Sequence, residues 1–169
     1  MDAYSDEEIA RLISCPKKVS VPPAKNLRLN GADWRNDAKL APTDGTKGIF
    51  SMFMRRNEDF PEDFSIGLVY RPEDGTSDIT LLRCNGKHGF FNGGAGADPD
   101  HPHFHFHVHK ASAKAIRAGF TPEKFADKTT EFASYEQAVQ HYIKVVQLNP
   151  RDASRYFPSE SQSEIEFTE

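Results

Sequence analysis

The sequence predicts an α+β fold: an antiparallel sheet of about five strands with helices packed on one face, an N-terminal helix and a disordered acidic C-terminal tail. Three observations carry that expectation. From about residue 33 to residue 109 the pattern is strand-like, with period-two alternation in residues 33–40, 64–71 and the histidine run, and an apolar run on both faces from Ile49 to Arg56. Capping signals of the Ser-x-x-Glu/Gln type open apolar-striped segments on either side of that region, at Ser5 and at Ser134. The last dozen residues, 158–169, hold four glutamates and no basic residue.

Taken in order, Ser5-Asp6-Glu7-Glu8 starts a short helix that buries Ile9, Leu12 and Ile13 and stops before Pro16. Residues 15–25 contain Pro16, Pro22 and Pro23 and read as an extended connector. Residues 33–40 form a strand with one wet face, and after the Thr43-Asp44-Gly45 turn Ile49 to Arg56 reads as a central strand. Phe64 to Arg71 and Asp78 to Cys84, joined by Pro72-Glu73-Asp74-Gly75, make a hairpin. A glycine-rich loop, residues 89–96, precedes a histidine strand at about 102–110. That loop has no Gly-Lys-Ser/Thr and opens no helix, which excludes a P-loop. Ser112 caps a short helix ending at Gly119, and Thr121-Pro122-Glu123 makes a further turn. Ser134 to Gln137 reads as a second capping box for a helix to about Leu148, stopped by Asn149-Pro150.

The 169 residues have room for one domain, residues 1–157, and the tail, 158–169. Twenty-one basic and 25 acidic residues give a formal net charge of −4. The tail alone accounts for that charge, so residues 1–157 sum to zero. A globally basic nucleic-acid binder is excluded, whereas a local basic face is not. No stretch approaches the ~20 apolar residues that span a bilayer, and the acidic start lacks a secretory layout, which predicts a cytoplasmic protein with no membrane partner. Cys15 and Cys84 have no Cys-x-x-Cys partner and read as small core residues.

Five of the seven histidines fall in His101-Pro102-His103-Phe104-His105-Phe106-His107-Val108-His109. On one strand all five would share an open face, with Phe104, Phe106 and Val108 on the core side and ~6–7 Å between successive imidazoles. Two uses fit that spacing. Imidazoles at i and i+2 can bind one divalent metal, Zn, Mn, Fe or Ni. His103, His105 and His107 are then the central ligands, with Asp98 and Asp100 as carboxylate candidates. Alternatively, a neutral and a protonated histidine can act as base and acid at a phosphodiester with no cofactor. The cations expected on the wet sheet face include Arg35, Lys39, Arg55, Arg71 and Arg83. Arg83, Asn85 and His88 stand at a strand end, where loops carry sites.

His103, His105, His107, His88 and Arg83 are therefore the catalytic candidates, and Arg55, Arg71 and Asn85 the substrate-binding ones. Leu81-Leu82-Arg83-Cys84-Asn85-Gly86-Lys87-His88 followed by the histidine run resembles a family of small bacterial and phage proteins, and is more faintly similar to TumE-type toxins of toxin–antitoxin pairs. That resemblance implies a small sheet-based ribonuclease-like domain acting on RNA, with Arg83, Asn85, His88 and one or two strand histidines at its site. Histidine–hydrophobic–histidine strands followed by a tyrosine helix also resemble the layout of HUH-type single-strand endonucleases, with Tyr142 or Tyr135 as nucleophile. The leading expectation is a ribonuclease or phosphodiesterase of toxin–antitoxin or phage-defence type. The alternatives are an inhibitor- or antitoxin-like protein that meets a protein partner through acidic surfaces, and a metal-binding protein on the histidine strand.

Overall fold

The computed structural model describes residues 4–88, 100–119 and 126–159. Helix α1 (Asp6–Ser14) is followed by β1 (Lys17–Val21), β2 (Arg28–Asn30), β3 (Asp33–Pro42), β4 (Ile49–Asn57), β5 (Phe64–Arg71) and β6 (Ile79–Asn85). A 3-10 turn at Pro102–Phe104 leads into β7 (His107–Lys110), then α2 (Ala113–Arg117), β8 (Ala126–Lys128), α3 (Tyr135–Val145) and α4 (Pro150–Tyr156). The α+β class and the antiparallel pairing are as expected. The strand count is not: the sheet has eight strands among the described residues, in the order β1-β3-β4-β5-β6-β7-β8 with β2 also on β3.

The three additional strands are ones that periodicity cannot reveal. β1 lies within the proline-rich stretch, but Pro16 and Pro22 bound it, so every residue between them keeps its N–H. β2 and β8 have three residues each, too few to show a period. The acidic tail from residue 160 onward lies outside the described residues.

Strand parity divides the sheet into two chemical faces. Phe50, Met52 and Met54 of β4, Phe64, Ile66 and Leu68 of β5, and Leu82 and Cys84 of β6 are buried. They pack with Ile9, Leu12 and Ile13 of α1 and with Ala138, Val139, Tyr142 and Ile143 of α3. Each of the Phe, Met, Leu, Ile and Val side chains among them contributes roughly 1.5–3 kcal/mol on burial. The full capping box at α1 forms as expected, with Ser5 Oγ accepting from Glu8 N at 3.1 Å and Ser5 N donating to Glu8 Oε2 at 2.8 Å. At α3 only half of the expected box forms. Ser134 Oγ accepts from Gln137 N, whereas the Gln137 side chain accepts from Ala133 N instead.

Asn149-Pro150 does more than stop a helix. Asn149 Oδ1 accepts from Arg151 N at 2.9 Å, and Pro150 takes the first turn of α4, where its missing N–H costs nothing. Lys17 ties these helices to the sheet: 1 % exposed, its ammonium donates to the carbonyls of Ile13 (2.8 Å), Cys15 (2.7 Å) and Val146 (3.3 Å). It thereby satisfies the last carbonyls of two helices.

Gly86 holds the end of β6 against the start of β5, donating its N–H to Phe64 O at 2.9 Å. A Cβ at this position would run into the Glu62 carbonyl oxygen and the Phe64 ring. Gly86→Ala is expected to cost about 1–3 kcal/mol in urea unfolding, because backbone rather than a movable side chain must give way. An unchanged unfolding midpoint would show that the two segments separate freely.

Candidate metal centre

The histidine run does not form one strand. Pro102 sets the first residue of a 3-10 turn, His101 Nδ1 accepts from His103 N at 3.3 Å, and His105 N donates back to Pro102 O. Ladder pairing starts only at His107. A proline with a fixed φ and no N–H interrupts the alternation that period two alone suggests.

Within β7, His107 and His109 stand two residues apart and share a face. They pair across the ladder with Asn85 and Arg83 of β6. Both are buried, at 0 % and 1 % exposure, so this face is not the open, wet one expected. The turn carrying His103 folds across them: the His103 ring lies parallel to that of His107 with centroids 5.3 Å apart, and 6.2 Å from that of His109. His103, His107 and His109 each offer a ligand atom, and these atoms lie within 4.8 Å of one another. The His88 ring approaches His103 at 5.2 Å and His107 at 5.4 Å.

Hydrogen bonds define the state of His107. Its Nδ1 is 2.8 Å from His105 O, so Nδ1 carries the proton and Nε2 bears the lone pair. Asn85 Nδ2 donates to that Nε2 over a long 3.4 Å. Asn85 Oδ1 accepts from Ser65 Oγ at 2.7 Å, and Ser65 Oγ accepts from Arg83 Nε at 3.3 Å. Burial, aided by the neighbouring His109, His88 and His103 and opposed by the His105 carbonyl, pushes the His107 pKa down to about 4. Burial also lowers His88, against the pull of Asp63.

The remaining expected residues take other places. His105 is not one of the three; its backbone carbonyl holds His107, and its Nε2 is buried with no hydrogen-bond partner among the described residues. Asp100 is exposed, pairs with Lys128 at 3.1 Å and is not one of the three grouped residues, and Asp98 lies outside the described residues. Arg55 is clamped between Asp33 (3.0 Å) and Asp63 (2.7 Å). Arg71 forms a two-pronged pair with Asp78 at 2.8 Å. Arg83 stands cross-strand from His109 with its guanidinium 5.6 Å from the Phe53 ring. Tyr142 is fully buried among the helix-face residues and donates to Gly67 O at 3.3 Å, and Tyr135 packs edge-on against Phe64. Both tyrosines lie on the sheet face opposite the histidines.

In the sequence His109 stands at the flank of the histidine run, and no spacing singles out Asp63. Pro102 was the one signal that moves the centre of the run toward its C-terminal end. Comparison of the chain with protein-family models, with curated proteins and with solved structures finds no match.

A neutral, buried His107 makes stability depend on pH. Its folded pKa, about 4, lies below the ordinary value of 6.5, so between these the unfolded chain binds more protons and stability rises with pH. The contribution is complete above about pH 6.5 and is lost as pH falls through about 4, on the order of 3 kcal/mol in total. Urea unfolding of metal-free protein across this range is expected to show that slope, and His107→Gln to flatten it. An equal slope in the variant would assign it to other groups.

Proposed function

We propose that the chain is a transition-metal-binding protein whose centre is held by His103, His107 and His109. The observation that carries this reading is the convergence of three imidazole ligand atoms within 4.8 Å at a buried strand pair. The chemistry of the donors supports it further. A metal ligand must be deprotonated, and burial already keeps His107 neutral; its Nε2 would exchange the long 3.4 Å contact with Asn85 for the ion. Ligating histidines commonly donate their other N–H to a carbonyl or carboxylate, as His107 does to His105 O. An all-imidazole donor set suits Zn²⁺, Fe²⁺, Ni²⁺ or Cu²⁺ and disfavours Ca²⁺ and Mg²⁺, which prefer oxygen.

A second reading is phosphodiester hydrolysis, the ribonuclease-like activity that the sequence resemblance implies. Arg83, cross-strand from His109, favours it, because a guanidinium beside the centre can neutralise phosphate charge. Arg55 and Arg71 contribute less to this reading, since aspartates already engage both. A bound divalent metal with an open position would supply hydroxide at neutral pH.

Protein purified without a metal column and stripped with EDTA is expected to bind one Zn²⁺ or Co²⁺ per chain. At 100-fold excess over Kd, binding adds about 2.7 kcal/mol of stability, visible as a rise in Tm. His107→Ala and His109→Ala should each weaken binding at least ~100-fold, more than loss of an outer-shell partner. Wild-type affinity in either variant would overturn the metal-binding reading. For the second reading, loaded protein should cleave RNA or bis(p-nitrophenyl) phosphate, and Arg83→Met should lower kcat/KM at least ~10-fold, about 1.4 kcal/mol. Absence of turnover would remove that reading and leave the first standing.

A further inference from the structure

We propose that His88 is a fourth ligand of this centre, oriented by the Asp63 carboxylate, which Arg55 holds in place. The inference rests on the metal-binding reading and extends it to the end of β6. Three features of the fold bring His88 to the histidines. Gly86 N donates to Phe64 O, which fixes where the chain leaves β6. Two residues later, His88 N donates to His103 O at 2.9 Å, tying this segment to the turn that carries a ligand. The His88 ring consequently lies 5.2 Å from that of His103 and 5.4 Å from that of His107, adjacent to the trio but outside the group whose ligand atoms fall within 4.8 Å.

The far side of the ring is equally specified. His88 Nδ1 faces Asp63 Oδ1 at 3.6 Å, and the same oxygen accepts from Arg55 Nη2 at 2.7 Å. Arg55 is itself anchored by Asp33, and the Asp63 backbone is held at both ends, its N–H by Phe60 O and its carbonyl by Asn57 N. A carboxylate fixed in this way favours the proton on Nδ1 and leaves the lone pair on Nε2. This carboxylate–histidine arrangement recurs behind metal ligands, where it sets the tautomer and raises ligand basicity.

It also gives the Asp33–Arg55–Asp63 chain a role that a phosphate-binding Arg55 would not. Tetrahedral zinc with Zn–N bonds near 2.0–2.1 Å places ligand nitrogens roughly 3.4 Å apart. The trio, within 4.8 Å, needs at most a small contraction to reach that spacing. The His88 side chain is 27 % exposed, so it is not locked in a fully buried position and would have to close on the trio. Four imidazoles around one Zn²⁺ make a closed site, of the kind that holds a metal for structure or storage and leaves no position for water. On this inference the centre binds its ion without hydrolysing a substrate at it.

Co²⁺ titration of the metal-free full chain tests the assignment, because four-coordinate Co²⁺ absorbs far more strongly in the visible than five- or six-coordinate Co²⁺. Wild type is expected to give the intense tetrahedral spectrum. His88→Ala should bind ~10–100-fold more weakly with a weakened band. Asp63→Asn, which keeps an oxygen for Arg55, should retain the tetrahedral band and lose ~10-fold in affinity. Circular dichroism checks the fold of each variant, and Asp63→Asn decides the matter if His88→Ala does not fold. Wild-type affinity and spectrum in His88→Ala, or unchanged affinity in Asp63→Asn, overturns the fourth ligand. If His107→Ala loses Co²⁺ in the same series, the three-histidine centre survives that result. No Co²⁺ binding by wild type overturns both.

Discussion

The site depends on one constraint: a fully buried imidazole must have both of its ring nitrogens satisfied. An unpaired polar group in this position would cost several kcal/mol. His107 meets the condition through His105 O on one side and Asn85 on the other. Each partner requires further structure. Asn85 can face His107 only if β6 and β7 pair in this register, and Ser65 of β5 then takes the other end of the amide. His105 O can reach Nδ1 only if the chain turns just before the strand, which the 3-10 segment at Pro102 provides. The register of the sheet and the turn at its margin are thus coupled through one ring.

The sheet keeps its two kinds of chemistry apart. On one face, methionine, phenylalanine, leucine and isoleucine side chains bury against α1 and α3. On the other, cross-strand neighbours form a polar series that runs from Asp33 and Arg55 to Asp63 and from Ser65 and Asn85 to the histidines. In a low-dielectric setting such linked hydrogen bonds rigidify one another. That rigidity fixes the His107 ring, whose Nε2 lone pair accepts from Asn85 and would have to leave that contact to bind an ion. It also means that an arginine in the series, such as Arg55, already serves structure.

Much of the architecture was legible in local sequence. Period two located β3 and β5, an apolar run on both faces located β4, the Ser5 capping box located α1, and the Pro-Glu-Asp-Gly turn located the hairpin of β5 and β6. What remained hidden was either too short to show a period, as in β2 and β8, or depended on partners distant in the chain. β1 is fixed by its pairing with β3 and by Asp152, which accepts from Val19 N at 2.8 Å from 133 residues away.

The same division holds at the site. By itself, the sequence determined that five histidines would crowd one short stretch and that Phe106 and Val108 would turn toward the core. These follow from side-chain alternation and from chain connectivity, both local properties. Only the tertiary structure decided which histidines converge. Where the ladder begins, after Pro102 has broken the alternation, selects His107 and His109 over His105, and the folded-back turn adds His103. It also decided that the histidine face is buried and that Asp63 stands behind His88. Those outcomes rest on contacts between segments about 15 to 30 residues apart, which no periodicity along the chain can encode.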